Sequence, residues 1–142
     1  MFAGRFEHNM DSKGRLTIPS HFRDELEGGL VMCFAPNAVI RAYPRALWDE
    51  KSANLAKMPQ DDETVMRYTR IVYSSAYETV LDKMGRVLVP GFMRDYSHIE
   101  REAMIIGANS FFEIWELSHW REMNEAEELA ILDIFKRMGD KE

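Results

Sequence analysis

The chain has 142 residues, 46% hydrophobic and 30% charged, with a formal net charge of −6, proportions that suit one globular domain or two small fused units. No apolar run approaches the roughly 20 residues of a bilayer span, and MFAGRFEHNMD lacks the apolar core of roughly 7–15 residues that marks a signal peptide, so a cytoplasmic protein without a membrane partner is expected. A lone cysteine, Cys33, excludes an internal disulfide and reads as a small buried hydrophobe.

In chain order, Phe2, Phe6 and Met10 fall four apart, a spacing that suits a strand when a tight turn follows. That turn is D11-S-K-G14, and after Arg15 comes L16-T-I18-P19, a strand rich in β-branched residues and closed by proline. SHFRDEL then reads as a short helix opened by the proline and closed at Gly28-Gly29. Leu30–Phe34 and Val39–Tyr43 read as two strands around an A-P-N-A turn. Two helices broken at Pro59 follow, with apolar stripes Leu47/Trp48/Lys51/Leu55/Met58 and Val65/Tyr68/Ile71/Val72.

The chain then repeats itself. LDKMGRVLVPGFMR at 81–94 aligns with MDSKGRLTIPSHFR at 10–23 at a spacing of 82 − 11 = 71. Upstream, Tyr73, Tyr77 and Leu81 repeat the strand spacing of Phe2, Phe6 and Met10. Downstream the spacing becomes 72, matching Asn37 with Asn109, Tyr43 with Trp115 and Trp48 with Trp120. GFMRDYS is the second short helix, and A103-MIIG and F111-FEIW the second strand pair. S118-HWREMNEAEELAILDIFKRMG reads as one terminal helix with Ser118 as N-cap. Trp120, Met123, Ile131, Ile134 and Met138 lie on one face, which Leu129, Leu132 and Phe135 widen; that face packs on its own core or on a neighbouring subunit. The expected organisation is unit 1 over 1–48, a helical connector over 49–71, unit 2 over 72–120 and a C-terminal helix over 121–142, in a mainly β, α+β fold.

The doubled loop is the candidate site. An Asp can accept hydrogen bonds from amides two or three residues on, and Gly permits a positive φ, so Asp11, Gly14, Asp82 and Gly85 are expected to shape the turns. Turn chemistry does not require Arg15 and Arg86, nor Lys13 and Lys83. Paired arginine forks suit phosphate and the guanine edge. The alternative is ion pairing of Arg15 and Arg86 with Asp11, Asp82, Glu7 or Glu78. Arg23 and Arg94, beside Asp24 and Asp95, are expected to be structural. Charge is uneven: residues 1–48 carry six Lys/Arg against five Asp/Glu, a net of +1, and residues 71–142 carry eight against fourteen, a net of −6. An acidic total therefore leaves room for a cationic rim.

The pattern D-x-x-G-R-x-x-I/V-P resembles the swapped-hairpin DNA-binding unit of the SpoVT/AbrB superfamily. Two such units, the opening MFAGRFEHNMDSKGRLTIP, Tyr43-Pro44 and G107-A-N-S-F-F-E-I-W115 make the resemblance cover almost the whole chain. It implies a pseudo-dimeric double-split β-barrel and a nucleoid-associated bacterial regulator of the cell-division and cell-wall gene cluster. It also implies a ring-shaped homo-oligomer that binds direct repeats of double-stranded DNA in its own promoter region. By the resemblance, Arg15 and Arg86 contact DNA with Lys13 and Lys83 beside them. The loops differ in one respect: Lys13 corresponds to Met84, and Lys83 to Ser12.

Two other classes of protein are conceivable. An oligomeric scaffold would use the arginine loops in subunit contacts. An enzyme is not expected: His8, His21, His98 and His119 lie at unrelated spacings, with no metal pair, phosphate loop or nucleophile motif. Neither a cofactor nor a metal nor a small-molecule substrate is expected.

Overall fold

The computed structural model describes residues 1–139, so the last three residues of the terminal segment 121–142 lie outside it. The strands are β1 (Arg5–Asn9), β2 (Arg15–Thr17), β3 (Leu30–Ala35), β4 (Val39–Pro44), β5 (Tyr77–Thr79), β6 (Arg86–Leu88), β7 (Glu102–Gly107) and β8 (Phe112–Glu116). The helices are α1 (Arg45–Ala56), α2 (Glu63–Ser75), α3 (Gly91–Ser97), α4 (Leu117–Leu129) and α5 (Ile131–Arg137). The α+β class stands, with two related strand sets.

The two repeats interlock. One antiparallel sheet runs β1-β7-β8-β4-β3-β5, and β2 with β6 forms a separate two-stranded ladder. Thus β1 of the first unit pairs with β7 of the second, and β5 of the second with β3 of the first. A pseudo-two-fold axis relates the halves. It passes between Leu16 and Val87, which correspond at 87 − 16 = 71 and face each other in the β2/β6 ladder. It passes again between Arg41 and Glu113, which correspond at 113 − 41 = 72 and face each other across β4/β8. The spacing is not a uniform 72 beyond the helices. Phe6 faces Ile105 and Tyr77 faces Met32, so β3 and β7 correspond at 105 − 32 = 73. The second unit therefore gains two residues before β7 and loses one in its hairpin turn.

The main core fills the space between the β2/β6 ladder and the inner face of the large sheet. Leu16, Ile18, Val87 and Val89 meet Met32, Ile40, Ile105 and Ile114 there. Phe22 sits among Phe2, Phe6 and Phe112, with ring centroids 4.9–5.5 Å apart, edge-to-face and tilted contacts that add to simple burial. On the outer face, α1 and α2 cover Val31, Cys33 and Tyr43 with Trp48 and Val72. There α4 covers Met104 and Trp115 with Leu117, Trp120 and Met123. Burial on both faces explains why β3 is apolar throughout. Cys33 is buried as expected, which pushes its thiol up to about 11 and leaves it a packing group.

Several local expectations are corrected. Tyr73 lies in α2, not on the strand before the second loop; four-residue spacing fits a helix equally well. SHFRDEL forms two consecutive 3-10 turns, Ser20–Phe22 and Asp24–Leu26, while GFMRDYS forms the α-helix α3. The reason lies at the exit: His98 takes the left-handed cap directly after α3, whereas the first unit reaches that conformation only at Gly29. The N-cap of α4 is Glu116, whose carboxylate accepts from the amides of Ser118 and His119; Ser118 is one position inside the helix. The terminal helix divides at Ala130 (φ −103°, ψ 6°) into α4 and α5, without a Gly or Pro to signal it. Met58, Tyr68 and Ile71 of the connector stripes are exposed, because only one side of α1 and α2 meets the sheet.

Candidate nucleic-acid interface

Each loop is built around its aspartate. Asp11 Oδ1 accepts from the amides of Lys13 and Arg15, both at 2.9 Å, and Oδ2 from Arg15 Nε at 2.7 Å. The backbone closes the turn through Gly14 N to Asp11 O (3.0 Å) and Asp11 N to Arg15 O (2.9 Å). The second loop repeats this. Asp82 Oδ1 accepts from Met84 and Arg86 amides at 2.9 Å, and Oδ2 from Arg86 Nε at 2.8 Å. Gly14 and Gly85 take φ of +80° and +76°, where a side chain is strained.

Each loop is also fastened by the other unit. Ile18 N donates to Gly85 O at 2.9 Å, and Val89 N to Gly14 O at 2.8 Å. Arg23 lays its guanidinium over Gly85, where an added Cβ would come within 2.2 Å of Cζ, and Arg94 covers Gly14 in the same way at 3.1 Å. Both donate to backbone carbonyls, Arg23 to Ile18 O and Arg94 to Val89 O. The structural role expected of Arg23 and Arg94 is therefore present, with carbonyl partners rather than Asp24 and Asp95. That each clamps the opposite loop was not legible in the sequence; the only signal was an arginine eight residues after each Gly-Arg.

Arg15 and Arg86 thus lie on neighbouring loops, and Arg86 Nη1 comes within 4.0 Å of Asp11 Oδ2. Their side chains keep 34% and 25% of their surface exposed, while Lys13 and Lys83 are exposed. The ion pairs to Asp11 and Asp82 exist; Glu7 and Glu78 instead pair with Arg121 and Arg45. Each aspartate holds the inner Nε of its own arginine, and among the described residues the Nη groups of both arginines make no hydrogen bond. A carboxylate that fixes an arginine this way reduces the rotamer freedom lost on binding. Among the described residues there is no cluster of His, Cys, Asp or Glu able to hold a metal and no helix long and apolar enough to cross a membrane.

The Arg15 and Arg86 amides hold the Asp11 and Asp82 carboxyls below their usual value of 3.8. A depressed folded-state pKa stabilises above the unfolded value and loses that contribution as pH falls through the folded one. Against an Asp11→Asn/Asp82→Asn variant, the melting-temperature advantage of the wild type is expected to be constant above about pH 5 and to shrink below about pH 4. A widening gap at low pH would contradict the loop electrostatics.

An interlocked pair of cationic turns on a pseudo-symmetric β scaffold defines a class of two-unit proteins that present arginines side by side. The family described as "MraZ protein, putative antitoxin-like" matches residues 1–71 and again 72–141. Relatives named transcriptional regulator MraZ are similar along nearly the whole chain. That of Lactiplantibacillus plantarum is 38% identical over 133 residues, 94% of both chains. That of Lactobacillus gasseri is 35% identical over 142 residues, 100% of this chain and 99% of its own. That of Roseiflexus sp. (strain RS-1) is 35% identical over 126 residues, 89% of this chain and 88% of its own. The chain belongs to the MraZ family.

Proposed function

We propose that this chain is a sequence-specific regulator that binds double-stranded DNA through the Asp11–Arg15 and Asp82–Arg86 loops. Arg15 and Arg86 contact base edges or phosphates, Lys13 and Lys83 add phosphate contacts, and Asp11, Gly14, Asp82 and Gly85 set the turns. The observation that carries this reading is the doubled, mutually clamped loop, each arginine held by its Nε with a quarter to a third of its side chain exposed. The relatives' name, transcriptional regulator, supports the same class. One chain offers only a few useful cations, and affinity grows with the number of phosphates neutralised. A ring of copies multiplies the loops along one face, so tethered contacts reinforce one another and match direct repeats in the protein's own promoter region. Its place of action is then the cytoplasmic nucleoid, and its target the cell-division and cell-wall gene cluster.

The Asp–Arg ion pairs favour a second reading, a scaffold whose loops make subunit contacts. Fluorescence anisotropy with labelled upstream DNA, titrated at several salt concentrations, separates the two. Binding is expected to weaken steeply and log-linearly with salt as phosphate counterions are released. No binding, or a flat salt profile, would leave the scaffold reading.

A further inference from the structure

We infer that a second ligand site lies between α1, α2 and β4, built for a nucleoside monophosphate, a phosphate carried on a planar ring. It goes beyond the DNA reading and shares no residue with the arginine loops. Two adjoining cavities, of about 530 and 230 Å³, have Arg41, Tyr43, Lys51 and Tyr68 in common. The larger alone falls within the roughly 300–1,000 Å³ of small-molecule sites. Arg41 and Tyr43 stand two apart on the outer face of β4, whereas the β2/β6 ladder and its loops lie across the core on the inner face. A ligand here is therefore separate from any DNA held by Arg15 and Arg86.

The two cations are held chiefly by aromatic rings. Lys51 reaches from α1 to α2, where Nζ donates to Tyr68 Oη at 2.9 Å. The same Nζ lies 5.6 Å from the centroids of both the Tyr43 and the Tyr68 ring. An ammonium has three donors, and among the described residues this one makes no other hydrogen bond and no ion pair. Arg41 lies over the Phe111 ring at 5.0 Å and meets Glu113 through Nε at 3.5 Å, the long limit of a hydrogen bond. Among the described residues the smaller cavity has both cations and no acid in its wall, and Glu50 is the one acid of the larger. A phosphate seated between Lys51 and Arg41 receives charge-assisted hydrogen bonds. The larger cavity then offers Tyr68 and Phe111 as faces on which a planar base stacks.

The pseudo-symmetry shows that the fold does not need these residues. Arg41, Tyr43 and Lys51 correspond to Glu113, Trp115 and Met123, the last at 123 − 51 = 72. There Trp115 and Met123 pack with Leu117 and Trp120 in an apolar cluster. Where the second half sets an acid and packed side chains, the first sets two cations and open volume. Packing is served by the second arrangement, so a ligand is the reason for the first.

The test is isothermal titration calorimetry of the full chain with adenosine 5′-monophosphate, with inorganic phosphate and with adenosine. The monophosphate is expected to bind, and phosphate or adenosine alone to bind at least about tenfold more weakly, each lacking half of the contacts. Lys51→Met, the side chain that the second half carries at this place, is expected to weaken binding about tenfold or more by removing one charged donor. Circular dichroism is expected to show its folding unchanged. The Arg15→Ala/Arg86→Ala variant is expected to bind the monophosphate as the wild type does. Binding kept by Lys51→Met and lost with the loop arginines would put the nucleotide on the DNA loops and overturn the site. Adenosine binding as tightly as its monophosphate would overturn the cationic seat. Hydrogen–deuterium exchange of the wild type needs no substitution: the monophosphate is expected to slow exchange in α1 and α2. Unchanged exchange there at millimolar ligand, or protection confined to the two loops, overturns the proposal.

Discussion

Replacing Arg15 and Arg86 together by alanine is expected to abolish specific DNA binding while the fold and the oligomer persist. An arginine fork on guanine or phosphate is worth about 1–3 kcal/mol, so removing one weakens affinity about 5- to 150-fold. The pair therefore removes at least about 25-fold per chain, multiplied across every copy that touches DNA. Stability is affected far less. The ion pairs being removed are 2.7 and 2.8 Å long but a quarter to a third exposed, and such surface pairs contribute about 0–1 kcal/mol each. The aspartates keep their two backbone amide donors, so the turns retain their shape. The single variants should differ. Arg15 is the more exposed of the two, and Lys13 stands two residues before it, whereas Lys83 stands three before Arg86. Arg15→Ala is accordingly expected to weaken binding more than Arg86→Ala. A gel shift on upstream DNA, run beside a thermal melt, reads both quantities. Retained binding with a large fall in melting temperature would mean that the arginines are structural.

Much of this architecture was legible because the sequence states it twice. Turn residues at fixed places, a proline after each inner strand and matching tryptophans located eight strands and the helices between them. What stayed hidden were features decided by partners distant in sequence. The interlock of β1 with β7 and of β5 with β3 follows from the two-fold arrangement, not from any local propensity. Ser118 resembled an N-cap by residue type, yet the helix starts at Leu117 and Glu116 caps it through the amides of Ser118 and His119. Tyr73 fell into α2 because the helix continued to Ser75 before the chain turned back into β5. At the site, the loop residues were visible and the cross-unit clamps were not: Arg23 and Gly85 are 85 − 23 = 62 residues apart, and only the fold brings them together.

The asymmetry at Gly107 carries the largest expected effect on stability. Its counterpart in the first half is Phe34, which has a side chain because α2 ends beside it and offers only the Ser75 hydroxyl. In the second half the segment Phe2–Gly4 passes directly over the strand. A Cβ on Gly107 would lie 2.4 Å from Ala3 N, 2.5 Å from Phe2 C and 2.6 Å from Ala3 Cα, all backbone atoms that no rotamer change can move. Gly107→Ala must therefore displace the segment, breaking the paired hydrogen bonds of Phe2 with Asn109 at 2.8 Å and drawing Phe2, 1% exposed, away from Phe22 and Phe112. Overpacking costs about 1–3 kcal/mol, and losing a buried phenylalanine about 3–5 kcal/mol. The expected penalty is about 3 kcal/mol, roughly 10 °C in melting temperature for a chain of this size. Phe2→Ala alone should cost a similar amount. The double variant should fall well short of the sum, because a segment already displaced has no Phe2 burial left to lose. Full additivity in that cycle would show that Gly107 acts through contacts other than the N-terminal segment.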